Sequence, residues 1–152
     1  MVDWRNFLYN ITAFILMRAR VHFILKPFEK IDISPNAISW SSLFLSVFVS
    51  LLFRSNLLLY GIIALFLVLF LDVLDGFLAR KKHLESFDGL VVDASCDRLS
   101  EFIIFYPSSL WLILAAVNCY VTFWRLKNKK ILILPLRHLF LVTAILGFFK
   151  LI

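Results

Sequence analysis

Long apolar runs separated by short polar breaks make up most of this chain. Most positions are apolar from Ala37 to Phe53, Leu57 to Leu71, Leu99 to Phe105, Leu110 to Trp124, and from Ile131 onward. Segments that are apolar on all sides predict helices buried in lipid or against other helices. The breaks are Arg54-Ser55-Asn56, the polar loop Lys81 to Asp88, the turn Tyr106-Pro107-Ser108-Ser109, and the basic loop Arg125-Leu126-Lys127-Asn128-Lys129-Lys130. The pattern predicts one all-α membrane domain with five transmembrane helices, at residues 37–53, 57–80, 89–105, 110–124 and 131–152. Pro35 opens the first, and Pro135, Arg137 and His138 interrupt the fifth.

The first 32 residues follow a different rule. Trp4, Phe7, Leu8, Ile11, Phe14 and Ile15 recur at helical spacing among Arg5, Arg18, Arg20, Lys26 and Lys30. This predicts an amphipathic helix lying in the membrane interface. The uncharged run between Arg5 and Arg18 is too short to span, since crossing takes about 20 residues. Asp32 to Asn36 ends it, with Pro35 restricting Ser34.

Composition agrees with this reading. With 62% hydrophobic residues, 17 Phe and a mean hydropathy of +0.91 over 152 residues, an ordinary soluble domain is excluded. The start lacks the pattern of a cleavable signal, so the first spanning helix is expected to direct insertion. Cys96 and Cys119 sit in apolar settings and predict neither a disulfide nor a metal site. The net charge of +6 carries information through its distribution. Five Lys/Arg lie in the N-terminal segment, three at Arg80 to Lys82 and four in the loop after helix four; only Arg54 and Lys150 stand opposite. The bias predicts a cytoplasmic N-terminus, a cytoplasmic loop after helix two and an outward C-terminus. Basic residues strung along membrane edges speak for anionic lipid and against nucleic acid.

One stretch contradicts the hydropathy. Between Asp72 and Asp97 stand Asp72, Asp75, Asp93 and Asp97, near the ends of two predicted membrane helices. Spacings of three and four put each pair on one helical face, and an antiparallel hairpin would join them. An aspartate at mid-helix costs about 2.5–3.5 kcal/mol on insertion scales, so four need a counter-charge. Arg98 can pair with one of them, or with Glu101 at i+3. One or two hard divalent cations, magnesium or manganese, would neutralise the rest, because all the donors are oxygens. Gly76 and Gly89 either let a ligand approach the backbone or serve helix packing. Arg80 either meets phosphate or anchors the interface. An ion path through the acids is a further reading, and it leaves these glycines and Arg80 unaccounted for.

Asp72-x2-Asp75-Gly76-x2-Ala79-Arg80-x8-Gly89-x3-Asp93-x3-Asp97 resembles, at every fixed position, the motif of the CDP-alcohol phosphotransferase (phosphatidyltransferase) family. Pro35-Asn36-Ala37-Ile38-Ser39 is similar to the Pro-Asn-x-Ile-Thr/Ser opening of its first membrane helix, and Asp97-Arg98-Leu99-Ser100-Glu101 to members using inositol phosphate or related acceptors. The resemblance implies metal-dependent transfer of a phosphoalcohol from a CDP-linked lipid donor to an alcohol, with release of CMP, in phospholipid synthesis. It implies two divalent ions on Asp72, Asp75, Asp93 and Asp97. Asp72, Gly76, Ala79, Arg80 and Gly89 would line the nucleotide, and Asp97 would take the acceptor's proton. Arg137, with Arg125 second, is the candidate for an acceptor's phosphate, as in inositol phosphate or glycerol phosphate. A homodimer is implied as well. Members are expected to have six spans, so the five here leave a shortened acceptor side. A catalytically silent homologue with a structural role is the alternative. His83, alone in a polar loop, is expected to be solvated surface.

Overall fold

The computed structural model describes Leu25, Pro27 and Phe28, and residues 32–84, 86–106, 108–128 and 135–151. Within them lie five helices and no strand: α1 (Pro35–Arg54), α2 (Leu58–Lys81), α3 (Phe87–Phe105), α4 (Ser109–Asn128) and α5 (Leu136–Leu151). The predicted interfacial helix falls almost wholly outside the described residues. Leu25 and Phe28 belong to it, and both pack on α2 beside Ile38, Leu74, Phe77 and Leu78.

Helix ends depart from the hydropathy boundaries because capping chemistry sets them. Ser34 accepts from the Ala37 amide, so Pro35 and Asn36 lie inside the first turn of α1 and do not precede it. Proline suits that position, where its missing N–H would be unpaired anyway. Ser86 caps α3 in the same way through the Gly89 amide, which draws Phe87 and Asp88 out of the loop and into the helix. α4 runs past Trp124 to Asn128, so Arg125 occupies its last turn, not a loop. α5 begins after Pro135 and is uninterrupted at Arg137 and His138, while residues 131–134 lie outside the described set. α1 and α2 end alike. Asn56 (φ 56°) and His83 (φ 54°) are left-handed, and the next amide reaches back to Leu52 and Ala79 respectively. This double closure satisfies carbonyls the helix end leaves open. His83 is exposed there, as expected of a solvated residue.

α1 makes its widest contacts with α2 and α3; α3 also meets α4, and α2 meets α5. The core opposite the acidic stretch is aromatic. Phe105, Trp111 and Phe140 have ring centroids 4.9–5.2 Å apart, and Phe53 joins Phe140 at 5.4 Å. Gly61 lets the α1–α2 hairpin close, for a Cβ there would stand 3.0 Å from the Phe53 ring. The ring stands edge-on to Phe140, which opposes its moving aside. Gly61→Ala is therefore expected to lower stability by up to about 2 kcal/mol, overpacking outweighing the helix preference of alanine. A fall in the thermal midpoint of purified protein checks this.

Three helices, α1, α2 and α4, are long and apolar enough to cross a membrane. α2, at 24 residues, is about 36 Å long. α3 is not among them because it carries Asp88, Asp93, Asp97, Arg98 and Glu101, and α5 is a shorter apolar helix. Five apolar spans were expected; by length and composition three meet that description.

Candidate active site

The last three turns of α2 carry Asp72 and Asp75, and α3 carries Asp93 and Asp97. The bundle brings all four into one charged neighbourhood, with Asp93 under the electrostatic influence of Asp97, Asp75, Asp72 and Arg137. The close α2–α3 hairpin that was expected is not what joins them, since both helices pack chiefly on α1. Asp75 is buried, and the other three are half-buried.

α1 supplies hydroxyls. Ser39 donates to Asp75 Oδ2 at 2.6 Å, and Ser42 donates to Asp72 Oδ1 at 2.8 Å. α5 supplies a cation. The Arg137 guanidinium is buried, and its Nη2 lies 2.6 Å from Asp72 Oδ2 and 2.7 Å from Asp97 Oδ1. Those two oxygens, from different helices, are thus no farther apart than the two contacts laid end to end. Arg137 Nη1 donates to Ser100 Oγ at 3.3 Å. An arginine in an apolar helix was expected to meet an anion; the anions it meets are the protein's own carboxylates.

Beside this set, Arg98 pairs with Glu101 at 3.1 Å and lies 3.8 Å from Asp97. Of the partners open to Arg98, the i+3 Glu101 is the nearer and Asp97 the farther. Glu101 is also bound by Asn118 of α4, whose amide donates to both carboxylate oxygens at 3.0–3.1 Å. Arg125, in the last turn of α4, is near enough for Arg98, Asp97 and Asp93 to act on its charge.

The motif glycines have separate causes. A Cβ on Gly76 would stand 3.3 Å from Arg80 Nη1, so the missing side chain lets Arg80 fold back along α2 toward the acids. A Cβ on Gly89 would stand 3.0 Å from Ser86 Oγ and 3.8 Å from Asn36 Oδ1. The start of α3 therefore meets the Pro35-Asn36 turn of α1, and the two halves of the sequence signature touch. Ala79 is half-buried, one turn past Asp75.

Ser39 and Ser42 as carboxylate partners, Ser100 and the Glu101–Asn118 pair were not foreseen as site features. The serines had a signal, since Ser39, Ser42, Ser46 and Ser50 recur along one face of α1. Asn118, polar in the middle of an apolar helix, was another.

Among the described residues, no three acidic, His or Cys side chains surround an ion-sized gap. Arg137 is the cation standing between Asp72 and Asp97. The donor set itself fits a hard divalent ion, being carboxylate oxygens from two helices already gathered around positive charge.

Fold and site define a helical bundle with membrane-length helices and a buried cluster of acids and arginines toward one end. The chain belongs to the CDP-alcohol phosphatidyltransferase family, whose model matches residues 32–148. No curated protein and no solved structure matches it. Membership, together with three membrane-length helices, makes it an integral membrane protein of a family that transfers phosphatidyl-type groups in phospholipid synthesis.

Proposed function

We propose that the protein transfers a phosphoalcohol from a CDP-linked lipid to a phosphorylated polyol, such as inositol phosphate or glycerol phosphate, at a site facing the cytoplasm. The observation that carries this reading is the meeting of Arg137 with Asp72 and Asp97, one guanidinium joining the candidate metal ligands to the candidate base. Asp72, Asp75, Asp93 and Asp97 would hold the divalent cations. Such ions, when bound, neutralise charge on the donor's phosphate oxygens and on departing CMP.

The remaining steps belong to the chain. Arg80, laid over Gly76, faces the donor's phosphates. An acceptor phosphate competes with the carboxylates for Arg137, and drawing that guanidinium away frees Asp97 Oδ1. The freed oxygen then takes the proton of the acceptor hydroxyl as it attacks phosphorus, and CMP leaves with the electron pair of the broken bond. Thus the anion that anchors the acceptor also uncovers the base. The bias of basic residues toward one side supports the cytoplasmic orientation.

Thermal stabilisation by CMP tests this reading. CMP with magnesium should raise the midpoint of purified protein, whereas neither CMP in excess chelator nor CMP with Asp72→Asn should do so. Stabilisation that ignores both metal and Asp72 would contradict the assignment. No response to CMP in any form would point to a silent homologue.

A further inference from the structure

We propose that Ser42 and Ser39 of α1 are positioning residues for the acidic site, orienting Asp72 and Asp75 toward the cation they hold. This rests on the reading above that the acidic set binds divalent metal.

The geometry is specific. Ser39 meets Asp75, and Ser42 meets Asp72; each pair is separated by three on its own helix, in the crossed order an antiparallel register requires. Both serines are buried, so water does not compete for their protons. A serine within a helix ordinarily returns its proton to the carbonyl four residues back. Ser41 does so to Ala37 at 2.8 Å, and Ser46 to Ser42 at 2.9 Å. Ser42 and Ser39 depart from that habit: the Ser39 hydroxyl lies 2.6 Å from Asp75, against 3.3 Å from the Pro35 carbonyl. With one proton to give, the shorter, charge-assisted bond takes it.

The consequence shows in how the oxygens of Asp72 are divided. Ser42 occupies Oδ1, leaving Oδ2 directed at α3 and α5, where it meets positive charge. A carboxylate with one oxygen tied to a rigid neighbour presents the other without having to be ordered at the moment of binding. Partners of this kind, one step outside the metal, change affinity by roughly 10–100-fold when removed. Ser46 supplies the control within the protein: it is equally buried, on the same face, and among the described residues its hydroxyl donates to its own helix.

Manganese binding to purified protein, read from the paramagnetic resonance of the free ion, tests the proposal without recourse to turnover. Ser42→Ala and Ser39→Ala should each weaken binding by roughly 10–100-fold. Ser42→Thr, which keeps the hydroxyl, should bind as the native protein does, and Ser46→Ala should as well. A structural role alone would lower the metal-free thermal midpoint of the alanine variants and leave manganese affinity untouched; that result overturns the inference. If the native protein and Asp72→Asn take up manganese alike, the acidic set is not the metal site, and the inference falls with that reading.

Discussion

Asp97→Asn is expected to lower kcat by about 10²–10⁴-fold, the usual contribution of a positioned general base. Asparagine matches the carboxylate in shape but does not accept the acceptor's proton. One Asp97 oxygen sits 2.7 Å from Arg137 and the other 3.8 Å from Arg98. Two guanidinium groups thus hold the side chain in place. Asp72→Asn should behave differently. Its loss falls on the donor side, so stabilisation by CMP disappears with turnover. The comparison is made on purified variants, with CMP release as the rate and the CMP-dependent thermal midpoint as the binding readout. Should Asp97→Asn lose CMP binding as completely as Asp72→Asn, its principal role is that of a ligand, and the base lies elsewhere.

Arg137→Ala should have two effects of different origin. Without metal, it strands two partly buried carboxylates, and breaking a buried pair from one side costs about 3–5 kcal/mol. Divalent metal should restore much of that stability, because it supplies the charge the guanidinium gave. In catalysis, the variant should raise the KM of a phosphorylated acceptor strongly and leave that of the CDP-lipid nearly unchanged, the signature of a lost ground-state contact. Inositol phosphate and glycerol phosphate should outperform free inositol or serine with the native protein and lose that advantage in the variant. If an unphosphorylated alcohol is the better acceptor from the outset, or if only donor KM moves, Arg137 serves the carboxylates alone.

The acidic signature was legible because its spacing is local. Asp72 and Asp75 share a helix face, as do Asp93 and Asp97; that α2 and α3 each pack on α1 more than on one another was not legible. Pairings that depend on the register between distant helices were not legible. Nothing in the order of residues says that Ser42, and not Ser41, faces Asp72; that follows from how α1 lies on α2. Arg137 stood out as a charge in an apolar helix, but the identity of its partners required α5 to be set against α2 and α3. Helix ends shifted for a simpler reason. Hydropathy marks where apolar residues stop, whereas the caps at Ser34 and Ser86 mark where the backbone turns. α3 shows the limit of hydropathy from the other direction. Its charged side chains include Asp97, Arg98 and Glu101, which are ion-paired within the bundle, so a polar composition does not by itself describe what the helix exposes.

Arg54 closes α1 at the end remote from the acids, and its guanidinium lies 5.6 Å from the Tyr106 ring centroid. An arginine over a tyrosine suits the headgroup layer, where a charge and an amphipathic ring both find water. From Leu58, beside that layer, α2 climbs about 21 Å to Asp72, against a hydrocarbon thickness of about 30 Å. With Arg54 and Tyr106 at one headgroup layer and α2 along the membrane normal, Asp72 would stand about 9 Å short of the opposite face of the hydrocarbon core, so bilayer thickness would set how far a lipid headgroup has to descend to reach the acids.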